Sequence, residues 1–99
     1  ASSDITNTPL LSHIAKMNKP IILSTGMATI AEIQAALEQI CRAGAAEIAL
    51  LHCVSGYPAK IEEINLKAMA TLRQTSNLPV GLSDHTPGIT IPIAATALG

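Results

Sequence analysis

The stretch from Lys19 to Cys53, KPIILSTGMATIAEIQAALEQICRAGAAEIALLHC, decides the fold. It opens with Pro20-Ile21-Ile22-Leu23, a short apolar run behind a breaker, followed by the polar Ser24, Thr25 and Gly26. A second such run, Ile48-Ala49-Leu50-Leu51, comes near its end. Neither run alternates apolar with polar residues, which suits strands buried on both faces, as in a parallel sheet. Between them, Thr29 and Glu32 have the three-residue spacing of a capping box. Ile30, Ile33, Leu37, Ile40 and Cys41 then mark one helical stripe, and Gly44 ends it. A strand, a helix and a second strand in this order make a right-handed crossover unit with parallel strands.

The same grammar extends in both directions. Pro79-Val80-Gly81-Leu82 is a third run, with 27 residues from Ile21 to Ile48 and 32 from Ile48 to Val80. Asn65 reads as the N-cap of a helix that buries Leu66, Met69 and Leu72. Thr8 and Pro9 read as N-cap and first residue of a helix carrying Leu10, Leu11, Ile14 and Met17, and a last helix runs from Pro92 to Leu98. The fold class is α/β with about three parallel βα units. A (β/α)₈ barrel takes ~250 residues, or ~31 per unit, so a chain of this length holds roughly three. The strand spacing fits a barrel and the length does not. The chain is therefore expected to be part of one TIM-barrel domain over residues 1–99, unless several copies assemble.

Composition narrows the function. Hydrophobic residues make up 48% of the 99 and charged ones 13%, enough for a core and too little charge for a disordered tail. Six Lys plus Arg against seven Asp plus Glu leave a net charge of −1, which argues against nucleic acid or anionic membrane as a partner. With one Tyr and no Phe or Trp, there is no platform for stacking bases. No apolar run reaches the ~18 residues of a membrane span. Cys41 and Cys53 make no disulfide framework, which points to the cytoplasm.

The polar residues gather at one place in each unit. Ser24 and Thr25 follow the first run, Ser55 and Tyr57 the second, and Ser83, Asp84, His85 and Thr86 the third. That is the rim where barrels and open parallel sheets hold ligands. The opposite ends carry only Lys19-Pro20, Ala46-Glu47 and Leu78-Pro79. His85, in a tight Ser-Asp-His-Thr turn, can ligate a metal or polarise a carbonyl oxygen, although one histidine is not a metal site. His52, inside a strand run, reads as a structural histidine, and His13 as a solvated one. Cys53 and His52 are adjacent on a strand and point to opposite faces, a poor nucleophile and base pair. Gly26 alone is a weak phosphate-loop signal, and Lys60 reads as a solvated loop lysine. No lysine ends a strand, which disfavours a Schiff-base aldolase.

At these residues the chain stops being generic. Lys19–Met27 (KPIILSTGM), Leu51–Pro58 (LHCVSGYP) and Gly81–Thr86 (GLSDHT) together resemble the N-acetylneuraminate (sialic acid) synthase family, which includes the pseudaminic and legionaminic acid synthases. Ser2-Ser3-Asp4-Ile5-Thr6-Asn7 looks like that family's Ser-Gly-Glu-Ile-Thr-Asn segment, so the likeness runs over essentially the whole chain. It implies a (β/α)₈ barrel that condenses phosphoenolpyruvate with an N-acyl aminosugar such as N-acetylmannosamine, releasing phosphate and forming a nonulosonic acid. It also implies a divalent metal, typically Mn²⁺, acting as Lewis acid on the aldehyde oxygen of the open-chain sugar.

The resemblance assigns roles by position. His85 matches one of two metal-binding histidines, the other lying on the strand expected after Gly99. Ser2, Ser24, Ser55 and Ser83 match positions that contact phosphoenolpyruvate, and Tyr57 the tyrosine beside the sugar. Asp4 matches an acidic active-site residue that is usually Glu, one methylene longer, and Ser3 stands where the family has Gly. The expected span is from the end of strand four to the helix after strand seven, in a parent enzyme that is a cytoplasmic homodimer. The competing expectation is a non-catalytic, truncated or self-assembling barrel fragment, since the second histidine and a phosphate-binding lysine lie outside these residues. A different sugar-phosphate or carboxylate-handling barrel is disfavoured by the Ser-Asp-His-Thr and Tyr-Pro motifs.

Overall fold

The three apolar runs become three parallel strands, and the breakers ahead of them become their entry points. The computed structural model describes residues 1–44 and 47–99, so Ala46 lies outside the described residues. Among these, α1 (Thr8–Ala15), β1 (Ile21–Ser24), α2 (Ile30–Arg42), β2 (Ile48–Cys53), α3 (Lys67–Ser76), β3 (Val80–Ser83) and α4 (Thr90–Ala97) follow one another in chain order. Short 3-10 turns cover Ser2–Asp4 and Ile61–Glu63. The sheet order is β1-β2-β3, with Ile21 opposite Ile48 and Ser24 opposite Leu51 on one side of β2, and Leu50 opposite Val80 and Cys53 opposite Ser83 on the other. Every strand therefore ends on the same side of the sheet.

Side-chain alternation splits the sheet into two unlike faces. Leu23, Ile48, Leu50 and Val80 point to the helical side and join Leu11, Ile33, Ile40, Met69 and Leu72 in one core, with Ile40 and Leu50 wholly inaccessible. The other face carries Ile22, Ser24, Ala49, Leu51, Cys53, Gly81 and Ser83. No helix covers it among the described residues, and Ile22 is 70% exposed. In a closed barrel this is the inward face.

The helices confirm the sequence reading in type and correct it at their ends. The Thr29 hydroxyl accepts the Glu32 N–H at 3.3 Å while a Glu32 carboxylate oxygen accepts the Thr29 N–H at 2.7 Å, a complete capping box. The buried stripe of α2 is Ile33, Ala36 and Ile40, whereas Ile30 and Cys41 are exposed. Helix α1 starts one residue earlier than expected, because Asn7 and not Thr8 is the N-cap, its Oδ1 accepting the Leu10 N–H at 3.2 Å. Leu11 and Ala15 bury their side chains there. Leu10, Ile14 and Met17 instead line an open apolar cavity of about 380 Å³ along the free edge of β1.

Asn65 is not an N-cap. It sits in the left-handed region at φ 42°, and α3 begins two residues later with no side-chain cap, although Met69 and Leu72 are buried as expected. Asn18 (φ 53°) and Asn77 (φ 55°) also turn left-handed, just after α1 and α3, each two residues ahead of the proline that leads into a strand. Gly44 does so after α2 with φ 103°. Helix α4 starts at Thr90 and not at Pro92, and Pro92 falls in its first turn, where a missing N–H costs nothing.

Loss of the α2 cap has a measurable consequence. Thr29→Ala is expected to lower stability by about 1 kcal/mol in urea unfolding. The Thr29 backbone N–H, and then its hydroxyl, hold the Glu32 carboxyl below its ordinary range. A lowered folded pKa stabilises fully above the unfolded value and is lost as pH falls through the folded one. Glu32→Gln should therefore flatten the acid limb of the urea-midpoint profile and leave neutral-to-alkaline behaviour without that slope.

Candidate active site

The polar rim forms where the strands end, built from four segments. Ser24 is the last residue of β1 and Ser83 the last of β3, so both belong to the strands. Thr25 continues the ladder: its N–H and its hydroxyl both donate to the Leu51 carbonyl at 3.0 Å, which satisfies a side chain only 4% exposed. Thr25 is therefore committed to structure.

Gly26 is where the β1–α2 loop meets β2. Its N–H donates to Ser2 Oγ at 3.1 Å, so it is not a free donor for an anion. A Cβ here would lie 2.7 Å from Cys53 Sγ and 2.9 Å from the Cys53 carbonyl oxygen, a space only glycine fits. Cys53 is buried, and its Sγ lies 3.2 Å from Ser2 Oγ. Ser2 is thereby held at the end of the central strand. From the sequence alone Cys53 reads only as a poor nucleophile. Its contact with Ser2 could have been suspected only from its place at the end of the central strand.

His85 is gripped by the loop after β2. Its Nδ1 lies 3.0 Å from the Val54 carbonyl oxygen, its own carbonyl accepts the Ala59 N–H at 2.9 Å, and Tyr57 packs against the ring at 4.3 Å between centroids with a 40° tilt. A carbonyl can only accept, so Nδ1 carries a proton, and in the neutral ring Nε2 then presents a lone pair. Ser83 Oγ stands 3.3 Å from that Nε2 and donates to it. Asp84 Oδ1 accepts from the Thr86 N–H at 3.0 Å and hydroxyl at 2.8 Å, closing the turn that carries His85. The structure thus joins Tyr57, Ser83 and His85.

The remaining residues are placed more loosely. Ser24 is half-buried, Ser55 is exposed, and neither hydroxyl has a hydrogen-bond partner among the described residues. Asp4 ends the turn that bears Ser2 and lines the cavity along β1. No hydrogen bond or ion pair joins it to Tyr57 or His85 among the described residues. His52 is structural as expected: Nε2 meets the Ile64 carbonyl oxygen at 2.6 Å, on the helical side and away from Cys53. His13 is exposed, and Lys60 is solvated beside Glu63 at 3.8 Å.

The donor chemistry at His85 suits one metal ligand, an imidazole held by a carbonyl behind it. Among the described residues, no three His, Cys, Asp or Glu side chains converge to complete such a site.

Parallel βα units with hydroxyls and an imidazole gathered at the strand ends have the architecture of part of a TIM barrel. Comparison with known proteins narrows the class. The model of the NeuB family matches residues 1–99, and the chain belongs to that family. It is 56% identical over 100 residues to N,N'-diacetyllegionaminic acid synthase of Campylobacter jejuni, covering 99% of this chain and 30% of that protein. It is 46% identical over 99 residues to pseudaminic acid synthase of Helicobacter pylori, covering 100% of this chain and 29% of that one. The crystal structure of the N-acetylneuraminic acid (sialic acid) synthetase of Leptospira borgpetersenii, in complex with citrate, superposes with a TM-score of 0.92 at 41% identity, over 99% of this chain and 34% of that one. The chain thus spans about 30% of the length of the curated relatives it matches.

The crowding at Gly26 yields a direct test. Gly26→Ala must push Cys53 or the loop aside and is expected to cost about 1–3 kcal/mol, read as a lower urea midpoint with unchanged slope.

Proposed function

We propose that this chain is the strand-four to helix-seven part of a nonulosonic acid synthase. That enzyme condenses phosphoenolpyruvate with an N-acyl aminosugar, N-acetylmannosamine or a related sugar, and releases phosphate. The carrying observation is the Tyr57–His85–Ser83 cluster with its lone pair held outward, at the strand ends of a NeuB-family chain. In this reading Ser2, Ser24, Ser55 and Ser83 donate hydroxyl hydrogen bonds to the carboxylate and phosphate of phosphoenolpyruvate. Tyr57 stands beside the sugar, and Asp4 supplies a carboxylate from the same turn as Ser2.

The resident metal of this reading is Mn²⁺, with His85 Nε2 as one ligand. When bound, it supplies Lewis-acid polarisation of the sugar aldehyde. The chain's own part is to keep that lone pair available: Val54 fixes the proton on Nδ1, and Tyr57 keeps the ring from turning. Ser83 Oγ occupies Nε2 at 3.3 Å, a long contact that yields to a stronger ligand and frees the hydroxyl for substrate. The reading includes a cytoplasmic homodimer. Among the described residues, no helix is long and apolar enough to cross a membrane.

A second reading, a self-assembling barrel fragment, is favoured by the bare sheet face at Ile22 and the open β1 edge. Sedimentation of the isolated 99-residue chain separates the two, since this reading requires a concentration-dependent oligomer.

The synthase reading is tested on the protein with a complete barrel. Phosphate release should require phosphoenolpyruvate, the aminosugar and Mn²⁺ together, and no release with any N-acyl aminosugar would overturn it. His85→Ala should weaken Mn²⁺ binding by about 100-fold or more in calorimetry, beyond the usual loss from a supporting group.

A further inference from the structure

We propose that Cys53 is a positioning residue for Ser2: its thiol donates to Ser2 Oγ and so leaves the serine proton free for an anionic substrate oxygen. The part concerning substrate rests on the phosphoenolpyruvate reading above. The placement of Ser2 does not.

Three segments distant in sequence meet at this sulfur. Cys53 ends the central strand, Gly26 lies in the loop after β1, and Ser2 begins the turn over Ser2–Asp4. A serine hydroxyl has one proton and two lone pairs. The Gly26 N–H fills one lone pair at 3.1 Å. Cys53 Sγ, 3.2 Å away, either fills the second or takes the proton. In the first arrangement both lone pairs are engaged inside the protein, and the O–H is left for a ligand. In the second the O–H is spent on sulfur, and Ser2 has no donor to offer.

The surroundings favour a structural clamp at this point. Cys53 is 5% exposed although no helix covers that face of the sheet among the described residues, because Ser2 and the Gly26 backbone pack against it. The missing Cβ at Gly26 admits both the sulfur and the Cys53 carbonyl. Ser83 is the register partner of Cys53 on β3, so the clamp sits one strand from the His85 cluster. Thiols are weak donors, but a second donor sharpens the direction of the remaining O–H.

The experiment compares Cys53→Ala and Cys53→Ser in the full-length protein. Cys53→Ala is expected to raise the KM for phosphoenolpyruvate about threefold to tenfold, the range of one neutral hydrogen bond, with the aminosugar KM unchanged. Cys53→Ser, which restores a donor, should return it to within about twofold of the parent. Hydrogen exchange at the Gly26 amide, read without substrate, should quicken in Cys53→Ala and recover in Cys53→Ser. An unchanged or lower phosphoenolpyruvate KM in Cys53→Ala means that Ser2 was the donor, and overturns the proposal. So does unchanged Gly26 exchange, or a serine variant no better than alanine. A parent enzyme that ignores phosphoenolpyruvate would overturn the synthase reading instead, while Gly26 exchange still decides whether Cys53 holds Ser2.

Discussion

Parallel pairing of β2 with both neighbours is the constraint on which everything else depends. It forces each strand to begin on one side of the sheet and end on the other, and it requires a helix to carry the chain back each time. The two ends of the sheet therefore do different work. The register Cys53 to Ser83 and Leu51 to Ser24 then brings residues far apart in sequence to a common level. Beside that register Val54 reaches the His85 ring, and Cys53 meets Ser2.

The rim shows how a polar surface can be both fixed and usable. The Thr25 hydroxyl, the Gly26 N–H and the Asp84 carboxylate are bound inside the protein, and they shape the loops. The hydroxyls of Ser24 and Ser55 have no hydrogen-bond partner among the described residues, and His85 Nε2 is held only by the long contact to Ser83. Preorganisation of this kind limits how far donors must reorganise when a charged ligand arrives.

Much of the fold was legible because its signals are local. Apolar runs behind prolines became strands, and the spacing of Thr29 and Glu32 became a capping box. Cap positions failed where two good capping residues adjoin, as with Asn7 and Thr8, since backbone dihedrals and not side-chain type choose between them. Asn65 resembles an N-cap in sequence for a related reason, since asparagine serves both as a cap and in the left-handed region it occupies here. The apolar residues of α1 could be seen, but not that Leu10, Ile14 and Met17 would border a sheet edge while Leu11 entered the core. In the candidate site, the polar types at the strand ends were legible one by one. Their grouping was not: Tyr57 on His85 and Ser2 on Cys53 are contacts between segments distant in sequence, which no single segment encodes.

The left-handed asparagines carry a consequence of another kind. Asn18-Lys19-Pro20 and Asn77-Leu78-Pro79 are the same connector used twice, each leading from a helix into a strand at the plain end of the sheet. Standard joints below and individual loops above make the architecture modular. Chemistry can be rewritten in the upper loops while the lower joints go on guiding the chain to the same topology. Such a scaffold can vary its upper loops without relearning how to fold.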